Sequence, residues 1–184
     1  MQELHEQPDS EIVRQIRSGD DSAFDELIRR YKRPVVNFVY RVLGNAADAD
    51  DVAQDVFVRV YQNLDTYRAE TKFSTWLFAL ARNAAIDRLR WRERHPTETI
   101  ESTTELAATS GTAEDVAASE MSNQIAAAVA KLPEDQRTAL VLAEYHDLSY
   151  AEIAKVMRCS EKSVESRLYR AKQTLRGWLR YLID

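Results

Sequence analysis

Asp48, Asp51 and Asp55 lie three and four residues apart, a spacing that on a helix brings carboxylates to neighbouring positions of one face. Such a row can hold a divalent cation or dock against cationic side chains. A metal enzyme would want a further carboxylate where Gln54 stands and a second acidic helix facing the first, and the sequence has neither. The face therefore reads as solvated or protein-binding. A second constellation, Tyr67-Arg-Ala-Glu-Thr-Lys-Phe-Ser-Thr-Trp76, sets aromatics and cations in a polar loop and then runs into an arginine-rich segment. Unstacked bases can lie on aromatic faces while Lys and Arg neutralise phosphates, which is the chemistry of single-strand binding. The same rings can fill a core, the preferred role for Trp76.

A third stretch, Asp147 to Lys172, has the form of two short helices across a break at Arg158-Cys159. Ser149 and Ser160 are placed to cap them. Ile153, Ala154 and Met157 on the first, and Val164, Leu168, Ala171 and Leu175 on the second, recur at helical spacing. The pattern predicts a helix-turn-helix whose second helix carries Lys162, Ser163, Ser166, Arg167 and Arg170, with Glu165 among them, on a surface suited to a DNA groove. The rival reading is a plain helical hairpin with solvated arginines. Arg158 occupies a turn position that often needs a left-handed backbone, at a cost of about 1 kcal/mol for a non-glycine residue.

The net charge of -5 has the wrong sign for a nucleic-acid binder until it is divided along the chain. From Arg82 to Arg94 there are five arginines against two acidic residues, and from Asp147 to Arg180 eight basic against four acidic. Two basic patches in an acidic chain predict two DNA contacts, with the acidic remainder limiting indiscriminate binding. Four Gly, four Pro and few alternating β-branched runs predict an all-helical protein. The single cysteine, Cys159, excludes an internal disulfide and reads as a small buried residue; three scattered histidines offer no zinc spacing. The N-terminus lacks the pattern of a signal peptide and no stretch approaches a membrane span, so no membrane insertion and a cytoplasmic location are expected.

The elements that position these groups follow from apolar spacing and its interruptions. Ile12, Val13 and Ile16 predict a short helix closed by Gly19. Phe24, Leu27, Ile28 and Tyr31 predict a second, capped by Asp21 or Ser22, with Pro34 marking a kink or restart before Val35, Phe38, Val39 and Val42. Val52, Val56, Val60 and Leu64 form a stripe that leaves Asp51, Gln54, Asp55 and Arg59 on the polar side. Ser74 is placed to cap a long helix running to Arg94, and Pro96 ends it. Thr97 to about Ser119 reads as a flexible acidic linker with a short helix from Ala113; Ile125 to Leu132 and the segment opened by Pro133 return to helix. The expected fold is all-α, with two small helical domains joined by that linker. The boundaries are an N-terminal helical extension at 1–21, a first domain at 22–95, the linker at 96–120 and a helix-turn-helix domain at 121–184.

Four motifs then occur in one order: Asp51-Val-Ala-Gln-Asp-Val-Phe57, Phe73-Ser-Thr-Trp-Leu-Phe-Ala-Leu-Ala-Arg-Asn-Ala-Ala-Ile-Asp-Arg-Leu-Arg90, Leu132-Pro-Glu-Asp-Gln-Arg137 and Leu148-Ser-Tyr-Ala-Glu-Ile-Ala154. In order and spacing, over about residues 22–94 and 121–177, the chain resembles a bacterial extracytoplasmic-function (ECF) sigma factor. The resemblance implies a protein without an active site, cofactor or metal, which binds core RNA polymerase and directs it to promoters. It implies that Asp51, Gln54, Asp55 and Arg59 dock on the clamp helices of the largest polymerase subunit. It implies that Tyr67, Lys72, Phe73, Asn83, Arg88 and Arg90 capture the minus-ten strand, and that Lys162, Ser163, Glu165, Ser166, Arg167 and Arg170 read the minus-thirty-five duplex. The linker would thread toward the polymerase active cleft, and an anti-sigma factor is a common partner of the family. Two positions depart from its pattern. Arg158 stands where glycine is common, and Glu165 where Lys or Arg is frequent; a carboxylate there can accept from cytosine N4. The alternative class is a stand-alone helix-turn-helix transcriptional regulator, which would bind duplex tightly without polymerase.

Overall fold

The computed structural model describes residues 7–96 and 113–180, the side chains of 113–120 excepted, and every regular element among the described residues is helical. Helix α1 (Asp9–Arg17) buries Ile12, Val13 and Ile16, and the chain reverses at Gly19, whose φ of +98° explains the glycine. Arg17 donates to the carbonyls of Leu64 and Tyr67 at 2.6 and 2.7 Å, and Asp9 accepts from the Tyr31 hydroxyl at 2.5 Å. The N-terminal helix is thereby stitched into the first helical unit rather than appended to it. Helix α2 (Ser22–Leu43) runs unbroken past Pro34 and stops at Gly44, in the left-handed conformation.

Helix α3 (Ala46–Gln62) opens on Asn45, whose side chain accepts from the Asp48 amide at 2.9 Å. Its stripe of Val52, Val56 and Val60 is buried as the spacing requires. A 3-10 turn at Leu64–Thr66 leads into the loop before α4 (Phe73–Arg94). This helix opens at Lys72, with no side-chain cap, earlier than a Ser74 cap would have it. The cause is Phe73, which the first turn carries into an aromatic cluster with Tyr31, Tyr67 and Trp76, ring centroids 5.4 to 5.7 Å away.

In the second half, α5 (Ala113–Ala130) is longer than the short helix anticipated, and most of the linker, 97–112, lies outside the described residues. Helices α6 (Glu134–Tyr145), α7 (Tyr150–Met157) and α8 (Glu161–Trp178) form the helix-turn-helix unit. Its core is Ile153, Val156, Val164, Leu168 and Ala171 over Leu142 and Val141.

The two units meet. Helices α6 and α7 pack on α2 and α4, and one continuous buried core passes through both. At the seam, the His146 ring lies 4.5 Å from the Phe78 ring and 5.8 Å, edge-on, from Phe38. Beside it, the Arg41 guanidinium lies over the Tyr145 ring at 3.7 Å.

Burial, and secondarily the charge of Arg41, pushes the His146 imidazole from 6.5 down to about 4, while Asp147 pulls weakly the other way. Between these values the unfolded chain holds a proton that the native chain does not. The histidine's contribution is therefore complete above about pH 6.5 and is lost as pH falls toward 4. Replacing His146 with Phe is expected to flatten this dependence: between pH 7 and pH 5.5 the urea midpoint should fall less in the variant than in the parent, as followed by circular dichroism.

Candidate functional site

Helix α3 presents Asp51, Gln54, Asp55 and Arg59 to solvent, as its buried stripe dictates, with two large apolar side chains beside them. Val58 is 54% exposed and Tyr61 49%, the latter's hydroxyl donating to Asp21 at 3.0 Å. An apolar centre fringed by carboxylates has a composition that would suit a basic, partly apolar partner. Asp48 does not belong to it. Its carboxylate turns toward α4, where both Arg88 and Arg92 donate to it. Burial resists ionisation of Asp48, but the two guanidiniums outweigh it and hold its carboxyl below the usual range.

The loop and α4 divide in the same way. Tyr67 and Phe73 are only 5% and 2% exposed, packed against each other at 5.5 Å, and in this conformation offer no free face to a base. Arg88 is held by Asp48 and lies 4.8 Å over the Trp91 ring. The surface that remains comprises Arg68, Lys72, Arg90 and Arg94, all exposed, and half-buried Asn83. The Lys72 ammonium reaches across to Glu152 of α7 at 2.8 Å.

Local chemistry builds the helix-turn-helix. Ser149 and Glu152 form a reciprocal capping box at the start of α7. With Lys72 donating first and Ser149 second, the Glu152 carboxyl is held at about 2. The turn passes through Arg158 at φ +52°, so arginine here accepts the conformation glycine usually supplies. Ser160 then accepts from the Ser163 amide at 3.2 Å and opens α8. Lys162, Glu165, Ser166 and Arg170 are exposed on its outer surface, and Ser163 is half-buried.

Arg167 faces away from that surface. It donates to Asp135 of α6 at 3.0 Å and to the Cys159 sulfur at 2.9 Å, bracing the recognition helix. In its place the outer surface carries Tyr169, 65% exposed, which with Tyr150, Lys162, Glu165, Ser166 and Lys172 borders a shallow hollow. Sequence reasoning missed these tyrosines, although Tyr169 falls directly after the buried Leu168 and so outside the apolar stripe.

A helical unit with an acidic face and a basic helix, followed by a capped helix-turn-helix, has the form of a DNA-binding transcription protein. Residues 27–95 match the family model Sigma-70 region 2, and residues 122–175 match Sigma-70, region 4. The ECF RNA polymerase sigma factor SigW of Bacillus subtilis (strain 168) is 35% identical over 179 residues, which cover 92% of this chain and 96% of that one. The ECF RNA polymerase sigma-E factor of Escherichia coli (strain K12) is 33% identical over 184 residues, covering 95% and 96%. Among solved structures, CnrH in complex with the cytosolic domain of CnrY superimposes with a TM-score of 0.69 at 26% identity, covering 92% of this chain and 96% of that one. The sigma factor RpoE in complex with the anti-sigma factor NepR from Bartonella quintana shares the fold, with a TM-score of 0.72 at 23% identity over 85% and 96%. The chain belongs to the ECF sigma factors, the promoter-recognising partners of RNA polymerase.

The contrast between Arg167 and Arg170 is testable in the full chain. Arg167→Ala is expected to lower the unfolding free energy read from urea denaturation, by up to about 1 kcal/mol for a partly exposed pair, and to leave the salt dependence of duplex binding unchanged. Arg170→Ala should leave the midpoint in place and make the slope of log affinity against log salt shallower by about 1.

Proposed function

We propose that the exposed face of α3 is the surface through which this sigma factor docks on the clamp helices of the largest polymerase subunit. The observation that carries this is the α3 surface itself: Asp51, Gln54 and Asp55 stay in water beside exposed Val58, while Asp48, three residues from Asp51, is used internally. Carboxylates left free around an apolar centre suit a partner with basic side chains on a rigid helical pair.

From that anchor, Lys72, Asn83 and Arg90 lie where a separated minus-ten strand would be held, with Arg68 and Arg94 as further phosphate contacts. Tyr67 and Phe73 serve in this reading as the rigid floor of the loop, and stack on bases only after it rearranges. Lys162, Glu165, Ser166 and Arg170, with Tyr169 added, form the edge that enters the minus-thirty-five major groove, while Ser163 and Arg167 set the pose of the helix. Promoter melting is then driven by binding energy, with no bond made or broken by the protein. The site of action is the cytoplasm, where polymerase is. Because CnrH was solved with the cytosolic domain of CnrY, a protein antagonist of anti-sigma type is proposed for this chain as well.

The decisive experiment is promoter-dependent transcription in vitro with purified core polymerase. The chain is expected to support initiation on a subset of a genomic promoter library; initiation on none of them, with tight duplex binding by the free chain, would favour the stand-alone regulator. Asp51→Lys with Asp55→Lys should abolish co-purification with core polymerase and leave the circular dichroism spectrum and urea midpoint close to those of the parent, since both side chains are exposed.

A further inference from the structure

Helix α8 turns cations outward, and one carboxylate stands among them. Glu165 is exposed, and its neighbours one turn away along the helix are Glu161 and Lys162 on one side and Leu168 and Tyr169 on the other. Lys162 is the one cation of that set, yet neither it nor Glu165 forms an ion pair or hydrogen bond among the described residues. Lys172, further along, is taken by Glu144 of α6 at 2.8 Å. Glu144 and Glu152 each hold a lysine, whereas Glu165 holds none.

The surroundings decide what this carboxylate can meet. It borders the hollow lined by buried Leu168 and by the rings of Tyr150 and Tyr169, 45% and 65% exposed. A base pair seated against those rings would strip water from the carboxylate, a cost that only a hydrogen-bond donor can offset. In the major groove the exposed donors are the amino groups of cytosine, at N4, and adenine, at N6. Guanine sets acceptors there, and thymine an acceptor and a methyl group. Adenine sets its N7 acceptor beside the amino group, so the second carboxylate oxygen would face a lone pair. Cytosine has a C–H at that place. It is the base that satisfies a carboxylate without setting an acceptor of its own against it.

We propose that Glu165 is a specificity-determining residue that reads a cytosine in the minus-thirty-five duplex, accepting a hydrogen bond from its N4 amino group. The inference rests on the promoter reading above and adds to it the base that one side chain selects. Glu165 is the fifth residue of α8, within the N-terminal part through which a recognition helix meets base edges. Exposed Lys162 and Arg170, on either side along the helix, supply the positive charge that lets a carboxylate approach the phosphates bordering the groove.

The test uses the full chain with core polymerase on a promoter drawn from the genomic library, its minus-thirty-five region randomised and each template marked by a barcode in the transcribed part. The parent should favour cytosine at one position of one strand by about tenfold or more. Three variants should rewrite that position alone. Glu165→Gln should move it to adenine, whose N6 and N7 an amide meets with two bonds, and Glu165→Arg to guanine, through O6 and N7. Glu165→Ala should leave it without a preference. All three should keep a urea midpoint close to the parent's, since the side chain is exposed. No cytosine preference in the parent, or the same preference in the parent and all three variants, would overturn the proposal.

A second arm mixes the full chain alone with randomised duplexes at low salt and sequences those retained. Here too the glutamine and arginine variants should exchange cytosine for adenine and guanine, and an unchanged base would overturn the assignment. Failure of the parent to initiate on any promoter is a different outcome. It removes the promoter reading and leaves the reading of cytosine by Glu165 to stand or fall on the duplex arm.

Discussion

Ion pairing inside the protein decides which cations are left for nucleic acid. The sequence holds two arginine-rich segments, and each has a carboxylate set against it from another helix. Asp48 takes Arg88 and Arg92, and Asp135 takes Arg167. A guanidinium offers a planar fork of donors that matches a carboxylate as well as a phosphate, so its role is fixed by whichever anion the fold brings near. Arginines whose faces meet a neighbouring helix become braces; Arg90, Arg94 and Arg170, two or three positions away along the same helices, stay on the outside. The basic surface is therefore narrower than the count of basic residues implies, and it is rigidly held because the braced arginines fix the helices that carry it.

Local chemistry was legible in the sequence where the cause is local. The caps at Ser149 and Ser160, the stop at Gly19 and the left-handed Arg158 all follow from the chemistry of single turns, and the buried stripe of α3 follows from helical period. Choices of tertiary partner were not legible. Periodicity says that Asp48, Asp51 and Asp55 lie near one another on α3, but not that Asp48 sits far enough around the helix to meet α4. It says that Phe73 follows a polar loop, but not that Tyr31 of α2 and Tyr67 would close over it. The aromatic loop has the composition of a base-stacking platform, and packing turned two of its rings into a floor.

The least legible feature was the seam. Residues 97–119, poor in apolar period, read as a flexible linker that says nothing of how the two units meet, and a short histidine-containing segment after α6 gave no hint of a core position. His146 nonetheless seats the second unit against the first. A ring of intermediate polarity suits that place. It fills the space as a phenylalanine would, yet its buried Nε2 has no hydrogen-bond partner among the described residues, so the junction forgoes part of the stability an apolar side chain would supply.

The seam combines burial with partial exposure: two phenylalanines supply burial, His146 keeps it below its maximum, and the Lys72–Glu152 and Arg82–Glu134 pairs fix how the units meet while staying in reach of water. A contact of fully apolar residues would be tighter, and solvated ion pairs alone would hold less. The acidic surface on α3 repels phosphate, so the carboxylates that ion pairing leaves free confine nucleic acid to the basic helices as firmly as the free cations attract it.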